Sequence, residues 1–246
     1  MFTGKRFRPA LIPTVATIIL FPVLISLGMW QLDRAENKRE LQAEYDRRAA
    51  DAPVRVGSRV QPVEELRFYR VTARGYYRTE HQILIDNRVQ NGRVGYFVVT
   101  PLQIENSDMR VLVNRGWIPL GQNRQTLPDI PTPKGVQHVE GLAAVPMKGG
   151  FRFAEPPAET GSWKRVWPRL DLNEFRAKVD YPVQPVVILM AAYSKAGGFE
   201  RAWRRLDTGI AVHHGYAFQW FLLALVLLVI FFVVNMKPVD GREKTE

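Results

Sequence analysis

A chain of 246 residues without cysteine excludes disulfides, thiolate metal sites and cysteine nucleophiles. Of its net charge of +10, Lys5, Arg6 and Arg8 supply +3, and the tail from Lys237 balances three bases against three acids, which leaves +7 for the middle. Basic clusters interleaved with exposed aromatic residues are missing, which argues against a nucleic-acid partner, and membrane lipid or an acidic partner accounts for the charge.

After a basic N-terminus over 1–9, an apolar run extends from Leu11 to Trp30. Ser26 and Gly28 match a signal cleavage site weakly, but the run is longer than an h-region of about 7–15 residues and continues through Met29 and Trp30. We expect an uncleaved span over 10–31, with Pro13 and Pro22 tolerated as prolines are in membrane helices. The bases ahead of it hold the N-terminus in the cytoplasm. Beyond Trp30, good helix formers continue, and Glu36 with Arg39, and Glu44 with Arg47 and Arg48, stand at helical spacing. A polar helical extension over 32–52 is expected, stopped by Pro53. The stretch to Leu66 reads as a linker or an irregular entry to the domain.

From Phe68 the pattern changes to alternation, and strands are expected over 68–77, 82–87, 94–102 and 109–116. Asn91-Gly92 supplies hairpin turn chemistry between the second and third of these, and Asn106-Ser107-Asp108 between the third and fourth. Four prolines from Pro119 to Pro133 mark a long loop. Further strands fit 137–145, 164–170 and 183–191, with a short helix over 172–179. The predicted fold is a membrane protein in which two transmembrane α-helices flank an extramembrane, mainly antiparallel β domain over 53–212, barrel- or sandwich-like with one short helix. The roughly 180 residues between the two spans are enough to bury a core.

The second span covers 213–236. From Gly215 to Met236 there are 22 residues without charge, enough at about 1.5 Å each to cross about 30 Å of hydrocarbon. Two spans return the tail, 237–246, to the cytoplasm and put the middle outside, since long domains translocate largely regardless of charge. His213, Tyr216 and Trp220, at offsets 0, 3 and 7, share a helix face where membrane meets water.

The chain has no Walker loop, strand-linked GxGxxG, HExxH or GxSxG, so a non-enzymatic role is expected. His81 and His138 read as surface or strand polar positions. His213 and His214 point about 100° apart on a helix and cannot grip one metal from the same face. A haem iron needs one axial imidazole and aromatic walls, which His213, Tyr216 and Trp220 supply; an interfacial aromatic belt explains the same Tyr and Trp. Trp30 and Arg34 share a face at the outer end of the first span. Arg34 there suits a carboxylate, a lipid phosphate or a haem propionate, or serves as an interfacial anchor. Arg115, ending an apolar strand, reads either as a tie for the sheet or as a ligand contact, and Arg70 and Arg88 as ties.

The ordered pieces Gly28-x-Trp30-Gln31-Leu32-x-Arg34 with Lys38, Tyr69-Arg70-Val71-x-x-x-Gly75 and Arg88 before Gly95-Tyr96 open a longer pattern. It continues through Pro101-Leu102, Val111-Leu112-Val113-Asn114-Arg115-Gly116-Trp117 and His213-x-x-Tyr216-Ala217-x-x-Trp220. Together they resemble the Surfeit locus protein 1 family over residues 28–220. The resemblance implies an integral membrane assembly factor for cytochrome c oxidase, with haem a on the histidine that His213 matches and delivery to oxidase subunit I. Ala211-Val212 stand where polar residues are more usual in the family, and His214 is a second candidate for the haem iron. The expectation is a haem a chaperone of the bacterial inner membrane, with both termini cytoplasmic and the central domain periplasmic. Trp30, Arg34, His213, Tyr216 and Trp220 would meet at the outer face, Arg34 or Arg115 would neutralise propionates, and the β domain would dock on subunit I or haem a synthase. The alternative is a haem-free docking scaffold that stabilises an oxidase assembly intermediate. A periplasmic enzyme with its site on the strand ends near Arg115 is the third reading.

Overall fold

The computed structural model describes residues 5–121, 126–146, 163–203 and 209–238. In chain order the elements begin with β1 (Lys5–Phe7), α1 (Leu11–Ala50), β2 (Val54–Arg55), α2 (Val63–Leu66), β3 (Arg70–Tyr77), β4 (Ile83–Gln90) and β5 (Arg93–Ile104). They continue with β6 (Arg110–Pro119), β7 (Gln137–Ala144), β8 (Val166–Trp167), α3 (Leu172–Ala177), β9 (Val183–Met190), α4 (Ile210–Asn235) and β10 (Met236–Pro238). Two compact units result, one drawn from Met1–Ala43 and Leu206–Glu246, the other from Glu44–Arg205.

In the first unit α1 and α4 are each long and apolar enough to cross a membrane. Their side chains are mostly exposed, as expected where lipid is the solvent. Hydroxyls along α1 fold back onto its carbonyls, Thr14 to Ala10 O at 2.8 Å and Ser26 to Pro22 O at 2.7 Å, so no polar hydrogen is left facing lipid there. The expected polar extension is part of the same helix, with Arg39 paired to Glu36 and Arg48 to Glu44 at 2.7 and 3.1 Å. The far ends of the two helices are clamped together. Strand β1 runs antiparallel to β10, Ala10 N donates to Asn235 Oδ1 at 2.7 Å, and the Phe7 ring packs on Phe231 and Phe232.

The second unit is a closed barrel. Strands run in the order β3-β7-β9-β6-β5, and β5 pairs back onto β3 through Gly75↔Ile104, Tyr76↔Gln103 and Tyr77↔Leu102. All of these pairings are antiparallel except β6 with β9. Alternate residues point inward, among them Val71 and Ala73, Val111 and Val113, Val139 and Ala143, Val186 and Ile188. On the outer face α3 lays Leu172 and Phe175 over Ile83, Ile85, Leu112 and Val187. That helix starts at Asp171, whose carboxylate accepts from the Asn173 and Glu174 amides at 2.9 and 3.2 Å. Asp171→Ala should therefore cost about 1 kcal/mol, read as a lowered urea midpoint.

The Asn91-Gly92 turn forms as expected, both residues in the left-handed region at φ 49° and 73°. Two expectations need correction. The expected strand over 164–170 shortens to Val166–Trp167, since Pro168 has no amide to extend the ladder. The expected linker before Leu66 instead carries β2, paired parallel to β3, and α2. Its Val56 and Leu66 are fully buried in the barrel core; single apolar residues in a short stretch carry no period from which to read this.

Candidate functional site

The face that α1 turns to α4 carries Gly28, Gln31 and Ala35, at offsets 0, 3 and 7, all buried. On α4 the buried residues include Ala217 and Ala224. A side chain at Gly28 would run into the Phe221 ring, so the absence of one makes room for that ring between the helices. With Ala10 bonded to Asn235 at one end, and Gln31 to His213 at the other, the helices are antiparallel and in step.

Helical phase then fixes which side chains share a face. Trp30 and Arg34 lie about 100° and 60° to one side of Gln31, and Tyr216 and Trp220 lie at the same angles to the same side of Ala217. In an antiparallel pair these two sides coincide, so all four residues line one face of the unit. Along the axis, Arg34 and Trp220 mark the ends of a column about 15 Å long at 1.5 Å per residue. Trp30 and Tyr216 are half exposed, at 56% and 50%, Arg34 is exposed, and Trp220 is partly buried.

His213 stands at about 40° from Ala217 towards this face, and His214 at about 60° away from it. The doubled histidine is thereby resolved into one imidazole on the aromatic face and one exposed on the opposite side. The His213 ring is partly buried, and its Nδ1 lies 2.9 Å from Gln31 Oε1. A carbonyl oxygen only accepts, so Nδ1 carries a proton, and in the neutral ring Nε2 keeps its lone pair. The arrangement offers a single nitrogen donor, an aromatic wall and a cation at one end. That set suits an iron whose remaining ligands come from its own macrocycle.

Gln31 is the residue that motif reading passed over as a member of the site. Its signal was there: a polar side chain on the same helical stripe as Gly28 and Ala35, at the end of an apolar span.

Arg115 belongs to the β unit, and of its two expected readings its contacts there are those of a tie for the sheet. The register of β5 against β6 skips it, from Val98↔Gly116 to Val99↔Asn114, and it follows Val111 and Val113 on the strand face that points into the barrel. It is fully buried. Nε donates to Gly197 O at 2.8 Å, Nη1 to Thr132 Oγ1 at 2.9 Å and Nη2 to Pro131 O at 2.6 Å. The guanidinium lies 4.9 Å from the centroids of the Tyr77 and Phe199 rings, and carbonyl dipoles with two π faces solvate the cation. Burial pushes the Arg115 pKa below its ordinary value and the Tyr77 phenol above its own. Arg115 ties the barrel to the chain that follows β9.

Arg70 donates to Asp51 O at 2.9 Å, and Arg88 lies 5.9 Å from the centroid of the Phe97 ring; both tie segments of the β unit. His138 is exposed on β7. His81, expected at the surface, is partly buried instead, bonded to Tyr181 at 2.7 Å and packed on Trp163. Burial pushes the Tyr181 phenol up to about 12.

The model of the SURF1 family matches residues 18–225. A SURF1-like protein of Rickettsia felis is 25% identical over 237 residues, covering 92% of this chain and 98% of its own. One of Drosophila melanogaster is 28% identical over 231 residues, covering 84% and 72%. The cytochrome oxidase assembly protein SHY1 of Saccharomyces cerevisiae is 25% identical over 152 residues, covering 60% of this chain and 36% of its own.

Proposed function

This chain belongs to the SURF1 family, and we propose that it is a non-enzymatic assembly factor for cytochrome oxidase that binds haem a through His213 and hands it to oxidase subunit I. The observation that carries the reading is the Gln31–His213 bond at 2.9 Å. It leaves Nε2 free on the side of the helix pair where Trp30, Tyr216 and Trp220 gather. Haem a, when bound, supplies the iron and its equatorial nitrogens, so one protein imidazole completes the requirement and the residues present fit the group. His213 would hold the iron through Nε2, with His214 turned away. Trp30, Tyr216 and Trp220 give the flat apolar wall, and Arg34, exposed at the outer end of the column, neutralises propionates.

The bases Lys5, Arg6 and Arg8 assign the N-terminus to the cytoplasm. The β unit then stands in the periplasm of a bacterial inner membrane, where it docks on subunit I or on haem a synthase, with membrane lipid around the helices. The yeast relative SHY1, a cytochrome oxidase assembly protein, supports the same process.

The test is absorbance of the full chain purified in detergent from cells that make haem a. We expect near-stoichiometric haem in the wild type and in His214→Ala, and its loss in His213→Ala. Equal haem in wild type and His213→Ala removes His213 from the mechanism. A haem-free scaffold is distinguished by co-purification with subunit I from a strain unable to make haem a, together with no stoichiometric haem in normal cells.

A further inference from the structure

We infer that Gln31 is a positioning residue for His213, holding its Nδ1 proton so that Nε2 is presented as the iron ligand. The inference rests on the reading of His213 as an axial ligand and adds to it the origin of the tautomer and the ring orientation.

An imidazole rotates broadly about its second side-chain torsion, and when neutral it places its proton on either nitrogen. Both freedoms weaken a ligand, because only the ring with an unprotonated nitrogen aimed at the metal binds. Gln31 Oε1, 2.9 Å from Nδ1, removes both at once. The carboxamide is itself held. Gln31 is 9% exposed, one helical turn from Gly28 on one side and from Ala35 on the other, on the stripe that packs against α4. Water, which would compete for the Nδ1 proton on an exposed helix, is largely excluded from that seam.

The two partners sit on different helices, and this has a consequence for assembly. The ligand is on α4 and its orienting acceptor on α1, so the nitrogen is held in its binding orientation only when the pair is packed. Gly28, which permits the close approach to Phe221, belongs to the same device.

The bland alternative is an interhelical hydrogen bond that adds only packing stability, typically about 0.6 kcal/mol in membrane proteins. The two roles separate by experiment. Haemin is titrated into the purified full chain in detergent, for wild type, His213→Ala, Gln31→Leu and Gln31→Glu, with affinity and midpoint potential as readouts. Loss of an outer-shell partner typically costs 10–100-fold in metal affinity, so Gln31→Leu should bind about 10–100-fold more weakly at unchanged helix content. Gln31→Glu keeps an acceptor and should retain binding. Its carboxylate draws the Nδ1 proton more strongly, makes Nε2 a better donor to ferric iron and lowers the midpoint potential.

If Gln31→Leu binds as the wild type does, or if the wild-type and Gln31→Glu potentials coincide, the positioning role is overturned while His213 stands. If wild type and His213→Ala bind haemin alike, the axial-ligand reading is overturned, and the role of Gln31 falls with it.

Discussion

Arg115→Leu is expected to destabilise the β unit by about 3–5 kcal/mol, a loss that a single surface arginine never produces. Leucine is shorter and branched, so it leaves a void between the Tyr77 and Phe199 rings. It also strips the donors from Gly197 O, Pro131 O and Thr132 Oγ1. A hydrogen bond to a charged group is worth about 1.5–3 kcal/mol, these three are part-buried, and they are coupled through one guanidinium, so the costs do not simply add. Arg115→Lys separates charge from geometry. The ammonium retains the positive charge, but one nitrogen cannot serve three diverging acceptors, and about 2 kcal/mol should be lost. Urea unfolding of the full chain in detergent, followed through the fluorescence of the buried Trp117 and Trp167, reads both. Wild-type midpoints in both variants would return Arg115 to the pool of free ligand contacts. The haem content of folded Arg115→Lys should match the wild type, unlike that of a propionate-binding arginine.

The same residue shows where sequence reading runs out. The run Val111-Leu112-Val113-Asn114-Arg115-Gly116-Trp117 announces a buried strand, and the strand is there. The period through Val111 and Val113 carries Arg115 to the inward face, but the acceptors that satisfy it there, Gly197 O, Pro131 O and Thr132 Oγ1, come from distant segments, and no period in one strand names them. The two apolar helices were legible because length and absence of charge are local properties, and the Asn91-Gly92 hairpin because turn chemistry is local too. The parallel contact of β6 with β9 was not, since it joins segments far apart in the chain. In the helix pair, the stripe of His213, Tyr216 and Trp220 was readable from spacing alone. Gln31 became part of the site only once the register between α1 and α4 set it opposite His213.

Barrel closure supplies the second large effect. Gly75 pairs with Gln137 on one side and with Ile104 on the other, so it stands where β3 holds β7 and β5 together. A Cβ at Gly75 would fall on the backbone carbonyl of Gln103, and backbone, unlike a rotatable side chain, has nowhere to go without breaking the β3–β5 ladder. Gly75→Ala should cost about 2–3 kcal/mol, and Gly75→Val about 4 kcal/mol or more, at the upper end of what overpacking produces. Gly57 serves as the control, because a Cβ there meets nothing nearer than Gln61 Oε1 at 3.8 Å, and Gly57→Ala should stay within about 0.5 kcal/mol. Coincident urea midpoints for Gly75→Val and Gly57→Ala would mean that β3 and β5 do not close the barrel, and the sheet would then be open at that seam. The opened edge would expose the amides and carbonyls of Gly75 to Tyr77 to pairing with other chains. Aggregation of Gly75→Val during purification is therefore the accompanying sign that closure, and not a local contact, has been lost.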